Sequence, residues 1–281
     1  MEGPMSVQTA RPPQGVAVKR LRSEAEARQA YPCMVEVPTP WPEALSVCRT
    51  WVSQNLGRHV EGYHLQDANG EVIGQLYYAL SEHALVPYEV EPGVAVLYCE
   101  WVQRRHQKQG FGLQLFSAFE ADARAQGCKG ILVEGSDQEA QMHYRHFVVR
   151  GFDIVHESGH RRLLYLPLSQ PQVKFRSLDP KIEPRHGAPV EILILTGYLC
   201  PFETSAQLLL LDVAREFGAQ VIVRQESLSS ETLRRYGVAY GVFINGLAKL
   251  TGATTEEAIR QAIIEELPET ARSASRWSTT G

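Results

Sequence analysis

QRRHQKQGFGLQLF, Gln103 to Phe116, is the stretch on which the fold turns. Its centre, Gln107, Lys108, Gln109, Gly110, Phe111 and Gly112, sets two glycines one residue apart behind a basic run. Upstream, GVAVLYCEWVQ (93–103) is apolar on both alternating faces, which predicts a central strand buried on both sides. Downstream, Phe111, Leu115 and Phe119 are spaced by four with Phe116 and Ala123 beside them, which predicts an amphipathic helix closed by Gly127. A buried strand therefore runs into a glycine turn that begins a helix. The first turn of a helix leaves backbone N–H groups unpaired and carries partial positive charge. Glycines let a phosphate come close to that backbone. Arg104, Arg105, His106 and Lys108 add positive charge, so the constellation reads as a pyrophosphate cradle. A dinucleotide fingerprint would need a third glycine and a later ribose-binding acid, and a P-loop would need Gly-Lys-Ser/Thr. The competing reading is a tight turn whose glycines serve packing alone.

Working outward, WPEALSVCRTWVSQNLG (41–57) has a helix pattern ending at Gly57. GYHLQDANGEVIGQLYYAL (62–80) predicts a hairpin pivoting on Asn69-Gly70. After the central helix, GILVEG (130–135) is a short buried strand. SDQEAQMHYRHFVVRG (136–151) predicts a helix started by Ser136 or Asp137 and ended by Gly151. FDIVHESGHRRLLYLPL (152–168) predicts a closing hairpin. The order is that of a mixed α/β sheet. Residues 1–30 lack an apolar period and are expected to be a mobile leader, ending at most in a short helix. Four prolines within 169–189 predict a linker, and the tail from 268 is polar. Two folded units remain, 31–168 and 190–267.

Composition narrows the function. The chain has 281 residues, of which 44% are hydrophobic, and a formal net charge of −4. That balance argues against a general nucleic-acid binder. Five scattered cysteines form no C-x-x-C pair and no cluster at metal-ligand spacing, which suits free thiols in a reducing cytoplasm. No signal core and no long apolar run is present, so neither export nor membrane spanning is expected.

Gln107-x-x-Gly110-x-Gly112 after a strand resembles the acetyl-CoA-binding motif of the GNAT acyltransferases, and the resemblance covers about residues 31–168. YRHFVVRGFDIV (144–155) resembles the family's helix-then-Gly-Phe segment, with a longer spacing from Tyr144 to Gly151 than is usual. The resemblance implies that backbone amides from Gln107 through Lys108, Gln109, Gly110 and Phe111 to Gly112 hold the CoA pyrophosphate. It also implies that Glu100, Trp101 and Val102 pair with the pantetheine arm like an added strand. An amine must be neutral before it attacks a thioester, so a base or a water chain has to take its proton. Glu100, at the strand end where the family often places its base, is the candidate; its other reading is an ion-pair partner of an arginine. Tyr144 is the candidate acid for the leaving thiolate, and its other reading is a core tyrosine. His143 and His146 read as surface or packing residues, and no metal is assigned.

Past the linker, VEILILTGYLCPFE (190–203) is a strand, a turn and Cys200-Pro201-Phe202 entering a helix. AQVIVRQE, SLSSETLRRYGV, GVFINGLAKLTG and TTEEAIRQAIIEEL follow as strand, helix, hairpin and helix. This order resembles the thioredoxin-like fold, and an acetyltransferase followed by such a unit resembles the YoaP-like acetyltransferases. Cys200 falls where that fold keeps its first active-site cysteine, and a helix start stabilises a thiolate. Glu203 stands in place of a resolving cysteine and Tyr240 near the place of the cis-proline. With the other cysteines expected in the first unit, a binding or structural role for Cys200 is favoured and disulfide reduction is not expected.

The sequence thus predicts a GNAT-like mixed-sheet domain followed by a thioredoxin-like domain. The expected function is a cytoplasmic N-acetyltransferase with acetyl-CoA as cosubstrate and a small-molecule or protein amine as acceptor. No metal, nucleic-acid or membrane partner is expected, and homodimerisation is open. The alternatives are a thiol-dependent redox or thiol-binding protein acting through Cys200, with the first domain as a CoA sensor, and a binding module using both folds as scaffolds.

Overall fold

The computed structural model describes residues 15–31, 33–36, 42–138, 142–250 and 255–269. Two compact units emerge: one from the chain up to Val37 with Val52–Ala84 and Val90–Lys174, the other from Pro38–Trp51, Leu85–Glu89 and Phe175 onward. The second unit is therefore assembled from three stretches, where the sequence predicts one continuous block.

The first unit begins with β1 (Ala17–Arg20), α1 (Glu24–Ala27) and α2 (Cys33–Glu36). Helix α3 (Pro42–Asn55) contributes residues to both units. Then come β2 (Glu61–Gln66), β3 (Val72–Leu80), the short β4 (Tyr88–Val90), whose first two residues belong to the second unit, and β5 (Val94–Val102). Helix α4 (Phe111–Ala125), β6 (Gly130–Ser136), α5 (Arg145–Val148), β7 (Asp153–Ser158) and β8 (Arg161–Pro167) complete it. Among the described residues the strands form a seven-stranded sheet in the order β1-β2-β3-β5-β6-β8-β7. Only β5 and β6 pair in parallel, and α4 connects them.

Helix α4 forms as its spacing predicts. Phe111, Leu115, Phe116, Phe119 and Ala123 are buried on one face, and Gly127 takes the left-handed φ of 74° that ends it. That face packs on Tyr78, Leu97, Ile131, Val133 and Leu164 of the sheet. Truncating a side chain such as Leu115 to Ala would cost about 2–5 kcal/mol.

Three expectations need correction here. Residues 17–20, placed in the leader, are an edge strand paired with β2 from Ala17↔Gln66 to Arg20↔Tyr63. Val16 and Val18 pack against the core, too few residues to display a period. The helix expected from Ser136 is also much shorter. Ser136 ends β6, its N–H bonds the Met142 carbonyl at 2.8 Å, and its carbonyl accepts from the Tyr144 N–H at 3.0 Å. This exchange makes a parallel bridge between Ser136 and His143 and delays the helix to Arg145, and residues 139–141 of the predicted helix lie outside the described residues. Finally, β5 is buried over Val94–Leu97 and again at Val102, while Tyr98–Trp101 are half-buried.

In the second unit, β9 (Phe175–Ser177) pairs with β4. Then follow β10 (Val190–Thr196), α6 (Pro201–Arg215), β11 (Val221–Ser227), α7 (Ser230–Tyr236), β12 (Gly241–Ile244) and α8 (Glu256–Ile264). Among the described residues β10 lies between parallel β11 and antiparallel β12. The continuous apolar run of β10 fits that central place. Ile192 and Ile194 meet Leu210 and Val213 of α6 and Ile259 and Ile263 of α8. Leu193 and Leu195 cluster instead with Ile182, Tyr236 and Phe243. The second strand expected in the Asn245-Gly246 hairpin is a single bridge, Ile244↔Leu247, and residues 251–254 lie outside the described residues.

The segment expected as a linker is bound into this unit. Lys181 N–H bonds the Tyr236 carbonyl and Arg185 N–H bonds the Asn245 carbonyl, each at 2.8 Å. A Cβ on Gly237 would lie 1.9 Å from the Asp179 carbonyl oxygen, and one on Gly246 would lie 2.1 Å from that of Glu183. Both glycines also have positive φ, 70° and 79°. The side chains those positions lack make room for the 179–185 backbone. Trp51 of α3 packs with Leu85, Leu178 and Leu233, which explains why the outlying stretches join this unit.

Candidate active site

The site starts where β5 parts from β6. The parallel ladder runs from Val94↔Gly130 to Leu97↔Val133. Opposite β3, Tyr77 pairs with Cys99 but Tyr78 pairs with Leu97, so Tyr98 is the extra residue of a bulge. A bulge bends its strand and ends regular pairing. The β6-facing edge of β5 beyond Leu97 therefore offers backbone groups to something other than β6. At Glu100 the N–H donates to the Met142 Sδ at 3.3 Å. A thioether is a weak acceptor, readily displaced by an amide carbonyl.

After β5 the chain turns through Arg104–His106, a single turn of 3-10 helix. The Gln107 side-chain amide donates to the Val102 carbonyl at 2.9 Å, closing the loop onto the strand end. Lys108 and Gly110 have positive φ, 61° and 82°. The first helical bond of α4 is Gln114 N–H to the Gly110 carbonyl at 3.1 Å. The amides of Phe111, Gly112 and Leu113 are thus the free donors of a helix start. The two glycines differ in purpose. Nothing lies within 4 Å of a Cβ placed on Gly110, so that glycine faces open space. A Cβ on Gly112 would lie 3.0 Å from Glu100 Oε1 and 3.3 Å from Arg150 Nη2. Gly112 makes room for an ion pair.

That ion pair involves the predicted base. Arg150 Nη1 meets Glu100 Oε2 at 2.5 Å and Nη2 meets Oε1 at 2.8 Å. The two side chains are only 17% and 9% exposed, and the guanidinium sits 4.9 Å over the Phe116 ring. Both carboxylate oxygens are engaged, so the alternative reading of Glu100 describes the geometry. Trp101 Nε1 is buried with no hydrogen-bond partner among the described residues.

Tyr144 begins α5, half-buried, with its backbone against Gly135 of β6. Its hydroxyl accepts from Arg145 Nε at 3.3 Å, which leaves its own proton free to be given elsewhere. His143 stacks on the Tyr144 ring at 5.1 Å and His146 is exposed. Sequence reasoning missed Arg150 and Met142, whose partners lie far along the chain, and also Glu134. Burial in the sheet pushes the Glu134 carboxyl up, and Arg161 at 3.3 Å opposes this.

The geometry suits acetyl-CoA. Unpaired amides and open space at Gly110 fit a pyrophosphate, with exposed Arg104 and Lys108 beside them. The edge of β5 at Glu100, past the end of the β6 ladder and held there only by a thioether, fits an extended amide-bearing arm. Among the described residues no group of three or more His, Cys, Asp or Glu could hold a metal, and no helix is long and apolar enough to cross a membrane.

Residues 26–147 match the acetyltransferase (GNAT) family. Solved structures similar to this chain include a GNAT-family acetyltransferase of Desulfovibrio desulfuricans, 20% identical, covering 54% of this chain and 98% of its own, with a TM-score of 0.41. Another is the ribosomal-protein-S18-alanine N-acetyltransferase of Escherichia coli, at 16% identity, 56% and 96% coverage, and a TM-score of 0.40. A third is the PaiA N-acetyltransferase of Thermoplasma acidophilum in complex with coenzyme A, at 11% identity, 55% and 100% coverage, and a TM-score of 0.38. No curated protein matches the chain.

Proposed function

From the premise that residues 26–147 form a GNAT domain, that of an acetyl-CoA-dependent N-acetyltransferase, we propose that the chain acetylates a primary amine by direct attack on the thioester. The observation that carries this reading is the open turn at Gly110 that starts α4, directly beyond the half of β5 that has left the β6 ladder. Acetyl-CoA supplies the activated acyl group. The cradle amides of 107–112 hold its phosphates, and Glu100 to Val102 align its arm.

The amine lone pair attacks the thioester carbon, the C–S bond breaks, and the amine loses a proton while the thiolate gains one. Tyr144 is the proton donor to the thiolate in this proposal, because Arg145 occupies its oxygen and not its proton. Glu100 is held by Arg150, so its first role is to fix that arginine against the head of α4. The amine proton then leaves through water, unless Arg150 lets go and Glu100 takes it. The acceptor is a small-molecule or protein amine.

What supports a thioredoxin-like reading of the second unit is that β10, α6, β11, α7, β12 and α8 follow the expected order save for the second hairpin strand, which is a single bridge, with Cys200 as the N-cap of α6. Five free cysteines suit a cytoplasmic setting. Release of free thiol from acetyl-CoA over a panel of amines tests the main proposal. An absence of turnover together with an absence of CoA binding by calorimetry overturns it.

A further inference from the structure

Cys200 does not stand apart from other thiols. The sequence places Cys48 with the first unit, but it lies on the part of α3 that the fold assigns to the second, within the stretch 38–51. Its Sγ lies 3.3 Å from Thr204 Oγ1 on α6, both side chains being buried. Thr204 is one turn beyond Cys200, and its N–H bonds the Cys200 carbonyl at 3.0 Å. A helical side chain leans back over the turn that precedes it. The Cys48 sulfur therefore lies beside the turn that begins at Cys200. It also feels Glu203: burial pushes the Cys48 thiol up to about 12, the Thr204 hydroxyl opposes this, and the Glu203 charge adds to it. Glu203 occupies the fourth place of Cys200-Pro201-Phe202-Glu203, where a C-x-x-C pair would have its second thiol. Helix α3 thus brings a cysteine against the first turns of α6, one residue past the place where its sequence lacks a second thiol.

The other cysteine lies nearer the surface. Cys200 is partly exposed, Phe202 two residues on is 45% exposed, and Tyr240 is 36% exposed. Tyr240 lies against Gly197 on the approach to Cys200, where a Cβ would be 3.4 Å from its own.

We propose that Cys48 and Cys200 are a redox dithiol, with Cys200 receiving an organic disulfide and Cys48 resolving the mixed disulfide. The Cys200 thiolate attacks RS–SR, forming Cys200–S–SR and releasing RS⁻, which takes up the proton Cys200 gave. Cys48 then loses its proton and attacks the Cys200 sulfur. The Cys48–Cys200 bond forms and the second RS⁻ leaves with that proton. Two protein thiols are oxidised and one disulfide is reduced to two RSH. The pair closes within the second unit once the sulfurs reach bonding distance, which needs a Cα separation below about 7 Å.

The test is mapping of the oxidised full chain. The native protein is incubated with glutathione disulfide, quenched in acid, alkylated, and cut with trypsin and a glutamyl endopeptidase. The second enzyme is needed because Cys33 and Cys48 share one tryptic peptide; Glu36 and Glu43 separate them. The expected product is a Cys48–Cys200 link. In Cys48→Ser, glutathione should instead accumulate on Cys200 at least tenfold above the wild-type level; Cys48→Ala serves if Ser beside Thr204 disturbs the fold. Wild-type protein that keeps glutathione on Cys200 with Cys48 free overturns the proposal. So does a statistical mixture of links among all five cysteines, or a variant indistinguishable from wild type.

Discussion

Gly110 and Gly112 are one residue apart and answer to different constraints. Gly110 has a left-handed φ and empty space where a side chain would point; Gly112 gives way to the Glu100–Arg150 pair. Gly110→Asp and Gly110→Asn share the backbone cost, and only Asp adds charge. Calorimetry should show CoA affinity at least tenfold lower for Asp than for Asn, about 1.4 kcal/mol; equal affinities would remove the phosphates from this turn. At Tyr144, replacement by Phe should lower kcat at least tenfold with little change in the KM for acetyl-CoA. Glu100→Gln should keep the acidic limb of the pH–rate profile, because the carboxylate serves Arg150. Loss of that limb would make Glu100 the base. The glycines, the basic run and the helix face were legible because each is local. Arg150 was not, since its partner lies 50 residues away and nothing in VVRGF signals it.

At the scale of elements, β5 behaves as two strands in one. Val94–Leu97 lie in a ladder on both sides, and beyond Leu97 the ladder to β6 has ended, with the Glu100 N–H held only by the Met142 thioether. If an acetyl-CoA arm docks there, bound CoA should slow amide exchange over 98–102 and leave 94–97 unchanged. Equal slowing of both halves in exchange mass spectrometry would point to general stiffening instead. The hairpin about Asn69-Gly70 and helix α4 could be read from turn chemistry and period. The segment 136–144 could not, because its residues suit a helix and the backbone exchange between Ser136 and 142–144 overrides that preference. Edge strand β1 was missed for the opposite reason: four residues give too little pattern to read.

For the molecule as a whole, acid should loosen the first unit through His64. This imidazole is buried, bonded to the Tyr77 hydroxyl at 3.3 Å, and pushed down to about 4 by burial, with Glu26 opposing. The unfolded chain takes up the proton near the ordinary value of 6.5, so stability falls as pH drops from there toward 4. Between pH 7 and 5 the loss from this group is about 2 kcal/mol. Urea unfolding at both pH values checks it, and His64→Gln should show a loss smaller by that amount. The division into units was legible only as far as a break near 169–189. The contributions of 38–51 and 85–89 depend on contacts such as Trp51 with Leu233, which no local pattern announces.

The backbone of 179–185, seated over Gly237 and Gly246, bears on how such a chain can be cut and joined. A gene fragment opening at Val190 would carry both glycine notches and nothing to fill them, with Leu193 and Phe243 stripped of Ile182. It would also lack the α3 stretch. Expressed alone, residues 190–269 should bind a hydrophobic dye and melt without a cooperative transition, while the intact chain does neither. A cooperative melt of the fragment would show that the strap is dispensable. A unit built from three separated stretches cannot be gained, lost or exchanged between genes by one recombination event; it is inherited with the acetyltransferase that threads through it.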